Sequence, residues 1–129
     1  MTVVAIKDGV MPADTQETWG NSRARVSKLV RLPDGGVAGA AGDGPACQAA
    51  LNWLASDGSL DGYSDRPLPD ISGAEVLVAK GDGTLWLLYN RFPGYQLLDE
   101  SIAIGCGCEA ARMAMSYGAT AIEACQRVA

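Results

Sequence analysis

The sequence predicts an α+β fold in which two stacked, largely antiparallel β-sheets are flanked by helices, within one domain spanning residues 1–129. Three observations carry this. Strand and helix patterns follow one another as strands, helix, strands, helices, an order that suits two packed sheet layers with helices outside. Turn dipeptides such as Asp8-Gly9 sit between short apolar runs, as antiparallel hairpins require. Apolar residues make up 48% and charged residues 19% of the 129 residues, a globular balance large enough for one core.

Residues 2–7 (TVVAIK) and 10–14 (VMPAD) read as a strand pair turned at Asp8 and Gly9, with Pro12 marking an edge or bulge. DTQETWGNSRAR reads as a polar loop, and residues 26–32 (VSKLVRL) as a strand. PDGG then turns the chain into a second short strand, VAGAA. In residues 45–56, Cys47, Ala50, Leu51 and Leu54 recur at helical spacing, with Asp43 placed to cap and Pro45 in the first turn. Asp57 to Gly73 lacks periodicity and reads as a long loop. AEVLVAK and GTLWLLYN flank Gly81, Asp82 and Gly83 as a hairpin, followed by extended segments at Tyr95–Leu98 and Ser101–Ile104. From Glu109 to Ala129 the pattern is helical and broken at Gly118.

The chain has no histidine, which removes Ser-His-Asp triads, Cys-His dyads and histidine-based zinc sites together. Its net charge of -5 argues against an extended nucleic-acid surface. NSRARVSKLVR (residues 21–31) is the one basic cluster and reads by default as a solvated face. AGAAGDGPAC follows a strand and opens a helix, but lacks the lysine and glycine order of a phosphate loop. With no basic-apolar leader and no run of about 20 apolar residues, the expected location is cytoplasmic, without a membrane partner. The four cysteines are expected to be reduced, and their spacing makes a poor zinc case. No cofactor is implied.

At TVVAIKDG, ADTQETWGN, VSKLVRL and AGAAGDG, in that order, the chain resembles the proteasome-type N-terminal-nucleophile hydrolases, most closely the peptidase subunits of bacterial HslVU proteases. The resemblance covers residues 2 to about 56 and about 74 to 117. It implies an N-terminal-nucleophile αββα sandwich of reduced size, because DGSLDGYSDRPLPDIS stands where that family has a second long helix. It implies Thr2 as nucleophile once Met1 is removed, a removal the small Thr side chain favours. Asp14 and Lys28 match the family's catalytic pair, and Gly42 matches the glycine whose N–H binds the oxyanion. IAIGCGC resembles the family's I-A-I-G-S-G segment, which puts Cys106 where an auxiliary serine is expected.

The residue types suit that chemistry. A threonine hydroxyl needs a base within hydrogen-bond reach, and a free α-amine with a pKa of about 7.7–8.0 provides one without histidine. A lysine charge beneath it, held by an aspartate, lowers the pKa of both groups, favouring the neutral amine that acts as base and easing loss of the hydroxyl proton. A glycine N–H at a helix start stabilises developing negative charge. Taken singly, each residue has an ordinary reading: a strand threonine, a surface ion pair, a strand-ending glycine, a small buried cysteine. Jointly and in order, they favour a threonine-type endopeptidase acting on unfolded polypeptides or peptides. The resemblance further implies a homo-oligomeric ring and an ATPase unfoldase as partner. The competing reading is a ring-forming or structural relative that keeps the fold without the activity.

Overall fold

The computed structural model describes residues 2–56, 60–61 and 66–128. Alternation along the first strand divides the molecule into layers. β1 (Val4–Lys7) pairs antiparallel with β9 (Ser101–Ile104). On one face, Val4, Ile6, Ile102 and Ile104 join Met11, Ala41 and Leu77 in the cluster between the sheets. On the other, Val3, Ala5 and Ala103 pack on Ala111 and Met115 of α2 (Cys108–Ser116) and on Ala121, Ala124 and Cys125 of α3 (Ala121–Val128).

The second sheet is an antiparallel meander of β4 (Leu29–Arg31), β5 (Val37–Gly42), β6 (Ala74–Ala79), β7 (Leu85–Tyr89) and β8 (Tyr95–Leu97), in that order. Ala38, Ala40, Ala74, Val76 and Val78 form its outer face and bury Ala50, Leu51 and Leu54 of α1 (Gly44–Ser56). The layers therefore run α1, five-stranded sheet, β1/β9 sheet, α2/α3, as the sequence predicts. Asp43 caps α1 by accepting the Ala46 N–H at 3.0 Å. Among the described residues between α1 and β6 there is no helix. The rest of the long loop, residues 57–59 and 62–65, lies outside the described residues, as do Met1 and Ala129.

The first hairpin forms with both turn residues in the left-handed region, Asp8 at φ 55° and Gly9 at φ 78°, as a two-residue turn between twisted strands demands. The returning leg bonds β1 through Lys7 and Val10 in both directions, but Pro12 only accepts, from the Ala5 N–H at 3.1 Å. The missing proline N–H reduces that leg to isolated bridges at Val10 and Ala13. The segment read as a polar loop is a hairpin instead: β2 (Gln16–Trp19) pairs with β3 (Ser22–Arg25) across Gly20-Asn21. Its fully exposed β3 has no buried face to leave an apolar alternation, so only the Gly-Asn dipeptide marked the turn.

At the end of the sandwich where the β4–β5 and β6–β7 turns meet, Asp34 accepts the Gly36 N–H at 2.8 Å and the Gly81 N–H at 2.9 Å. Those bonds, Gly81 first, hold its carboxyl below the ordinary range. A depressed native pKa means that this contribution to stability is present above the unfolded carboxylate's pKa of about 3.9 and is lost as pH falls through the native value. Asp34→Ala is expected to lower stability at pH 7 by less than about 1 kcal/mol, because the carboxylate is exposed and screened by water, and by less again once the carboxyl is protonated in both states. Urea unfolding at neutral and strongly acidic pH checks this; a cost that does not shrink at acidic pH would exclude the ionised carboxylate as its source.

Candidate active site

Thr2 lies two residues before β1 at one corner of the sandwich, where four segments converge. Asp14 ends the returning leg of the first hairpin and is fixed twice to Val3, the residue before β1. Its N–H donates to Val3 O at 3.2 Å, and its Oδ1 accepts the Val3 N–H at 2.9 Å. Its Oδ2 accepts the Gln16 N–H at 3.1 Å, so the carboxylate also sets the start of β2.

Lys28 directly precedes β4, and its carbonyl accepts the Ala40 N–H at 3.0 Å, which registers it against β5. Its side chain is 7% exposed and that of Asp14 is 5% exposed. Burying an ion pair is costly unless the remaining hydrogen-bonding capacity is also met. Here it is met: Lys28 Nζ donates to Asp14 Oδ1 and Oδ2 at 3.1 and 3.0 Å, Gln16 O at 2.6 Å and Thr2 Oγ1 at 3.1 Å. Four acceptors surround three ammonium hydrogens. A lysine so arranged presents positive charge to the Thr2 oxygen, and the Thr2 hydroxyl proton is left for another acceptor.

The remaining wall is the β9–α2 turn. Thr2 N–H donates to Cys106 Sγ at 3.0 Å, the Cys106 thiol reaches back to Thr2 O at 3.6 Å, and the Gly107 N–H donates to the same carbonyl at 3.1 Å. Gly105, at φ 95°, allows this approach, since a Cβ there would collide with Thr2 O. The glycines of IAIGCGC thus fit the turn to the Thr2 backbone. Their part, and that of Gln16 O, was not assigned from sequence, although Gly-Cys-Gly before a helix is a visible signal of a tight turn.

Gly42 ends β5, at φ 118°, and a Cβ on it would collide with Gly73 O. The Asp43 N–H bonds Gly73 O on the β6 side, whereas the Ala40 N–H bonds Lys28 O on the β4 side. Strand alternation therefore turns the Gly42 N–H toward the Lys28 edge, past the end of β4. A Cβ at Gly105 would also lie 3.4 Å from Ala41 Cβ, which brings the end of β5 beside the Thr2 turn. Hydrogen bonds thus link Thr2, Asp14, Lys28 and Cys106, and Gly42 follows the Ala41 that lies beside their turn.

Cys106 is the exposed cysteine at the site, while Cys47 and Cys125 are buried. Burial pushes the Cys47 thiol up to about 11 and raises that of Cys125. At pH 8 about one Cys47 thiol in a thousand is ionised. Iodoacetamide under native conditions is expected to modify Cys106 well before Cys47 or Cys125, as read by peptide mass mapping. Equal rates at all three would contradict the burial.

No protein-family model matches the chain, and no curated protein matches it. Solved structures do. Eukaryotic HslV from Trypanosoma brucei aligns at 20% identity with a TM-score of 0.60, over 98% of this chain and 86% of that one. BPH from Thiobacillus denitrificans aligns at 18% identity with a TM-score of 0.56, over 90% of this chain and 77% of that one. At these identities the likeness is one of fold: the chain has an HslV-like α+β fold of reduced size.

Proposed function

We propose that the chain is the threonine-type peptidase subunit of a self-compartmentalising protease. The carrying observation is the buried Asp14–Lys28 pair with its ammonium 3.1 Å from Thr2 Oγ1. In this reading Met1 is removed and Thr2 becomes the first residue. The freed α-amine accepts the Thr2 hydroxyl proton, and Oγ1 attacks a peptide carbonyl while Lys28 offsets the growing charge. The Gly42 N–H donates to the oxyanion. The amine then returns the proton to the leaving nitrogen, and water hydrolyses the Thr2 ester by the reverse sequence. Cys106 orients the amine through the contact it already makes with Thr2 N.

Acting on unfolded chains requires that folded proteins be kept out, which a ring of copies achieves. We therefore place the chain, as a single domain, in a cytoplasmic homo-oligomeric ring fed by an ATPase unfoldase. Among the described residues no helix is long and apolar enough to cross a membrane.

The test is intact-mass analysis combined with a threonine-directed peptide epoxyketone. Loss of Met1, an adduct mapped to Thr2, and hydrolysis of fluorogenic peptides that Thr2→Ala abolishes are expected. A protein that begins at Thr2 yet neither reacts nor cleaves would overturn the assignment.

A further inference from the structure

We propose that the groove beside Asp14 is a subsite for an acidic side chain of the substrate, with Arg23 and Arg25 as its specificity-determining residues; the inference rests on the peptidase reading for the class of substrate. Two depressions meet at Asp14 and Arg25. One, of about 540 Å³, is lined by Asp14, Gln16, Arg23 and Arg25 among others. The second, of about 370 Å³, extends from Arg25 and Asp14 to Ser27 and Lys28. Because Lys28 lines this groove and also touches Thr2 Oγ1, a side chain held there belongs within a few residues of the bond attacked.

The groove is basic in a chain of net charge -5, and the local geometry keeps it so. Arg23 and Arg25 share one face of the β2–β3 ribbon, opposite Thr18 and Gln16 in register. Glu17, the acidic residue of the ribbon, pairs with Ala24 and so faces the other way. Its carboxylate approaches the start of α1, where a Cβ on Gly44 would lie 2.8 Å from Glu17 Oε1. Asp14 lines the groove, but both its oxygens are committed to Lys28 and to backbone N–H groups. Among the described residues neither Arg23 nor Arg25 forms an ion pair with a carboxylate. Two guanidinium groups with no carboxylate partner among the described residues, beside a neutralised pair, suit one carboxylate with charge-assisted hydrogen bonds. The overall negative charge disfavours a polyphosphate strand in the same place.

The test is a binding measurement, so it does not depend on turnover. Thr2→Ala protein is titrated into a fluorescein-labelled octapeptide carrying two adjacent Glu residues and into its Gln counterpart, with anisotropy as the readout. The Glu peptide is expected to bind about tenfold more tightly at low salt, the scale of one charge-assisted hydrogen bond. That advantage is expected to vanish in the Arg23→Gln/Arg25→Gln variant and to persist in Arg23→Lys/Arg25→Lys, which controls for folding. Equal affinities for the two peptides, no binding of either, or an advantage that survives loss of both arginines would each overturn the subsite. So would tighter binding of a labelled single-stranded oligonucleotide. Thr2 labelling in the parent protein reports separately on the peptidase reading, so a failure of one is distinguishable from a failure of the other.

Discussion

Replacing Lys28 by Met is expected to destabilise the protein by about 3–5 kcal/mol and to abolish both peptide hydrolysis and labelling of Thr2. The stability loss follows from burial. With side chains 7% and 5% exposed, removing the ammonium takes the charge partner from a largely buried Asp14 carboxylate and leaves it the Val3 and Gln16 N–H groups as hydrogen-bond donors. Adding Asp14→Asn removes the stranded charge while keeping an oxygen for the Val3 N–H, so the double variant is expected to recover part of the lost stability. Hydrolysis is expected to stay absent, because nothing positive then faces Thr2 Oγ1. Urea unfolding and peptidase assays on the two single variants and the double variant separate the roles. If the double variant cleaved peptides at the parental rate, Lys28 would be a structural residue only.

The sandwich was legible because its faces alternate. Val3 and Ala5 against Val4 and Ile6 mark a strand buried on both sides, and the Cys47-Ala50-Leu51-Leu54 spacing marks the one face that α1 presents to the sheet. The β2–β3 ribbon was not legible by the same means, because exposure removes the pressure for alternation. α3 hid its start in a different way: Thr120 and Glu123 form a reciprocal cap, with the Glu123 N–H on Thr120 Oγ1 at 3.1 Å and the Thr120 N–H on Glu123 Oε1 at 3.0 Å. That T-x-x-E spacing is the sequence signal of this start. In the site, residue types chosen for their chemistry, Thr2, Asp14 and Lys28, could be named in advance. The backbone participants could not. Gln16 O and the Gly107 N–H act through groups that every residue carries, and only the fold places them at the corner.

Exposing the Thr2 amine is expected to have the largest effect of all. A chain bearing an N-terminal extension that a specific protease removes to leave Thr2 first should be inactive before cleavage and gain at least about a thousandfold in peptide hydrolysis after it. The reason is the saturation of Lys28. With its ammonium ringed by Asp14, Gln16 O and Thr2 Oγ1, it has no lone pair with which to take the hydroxyl proton. While Thr2 N is an amide it donates to Cys106 Sγ and also cannot serve as a base. Only the free amine supplies the missing acceptor, and the rate should then rise with pH as the ammonium loses its proton, below the ordinary α-amine value of about 7.7–8.0 because the Lys28 charge disfavours the ammonium. Cys106 modulates this step. A hydroxyl is the stronger partner for an amine, so Cys106→Ser is expected to raise the rate and Cys106→Ala to lower it by about tenfold. Equal activity in the extended and released chains would remove the amine from the mechanism. Inactivity in both, with the fold intact by circular dichroism, would leave the ring-forming relative without catalysis as the reading of this corner.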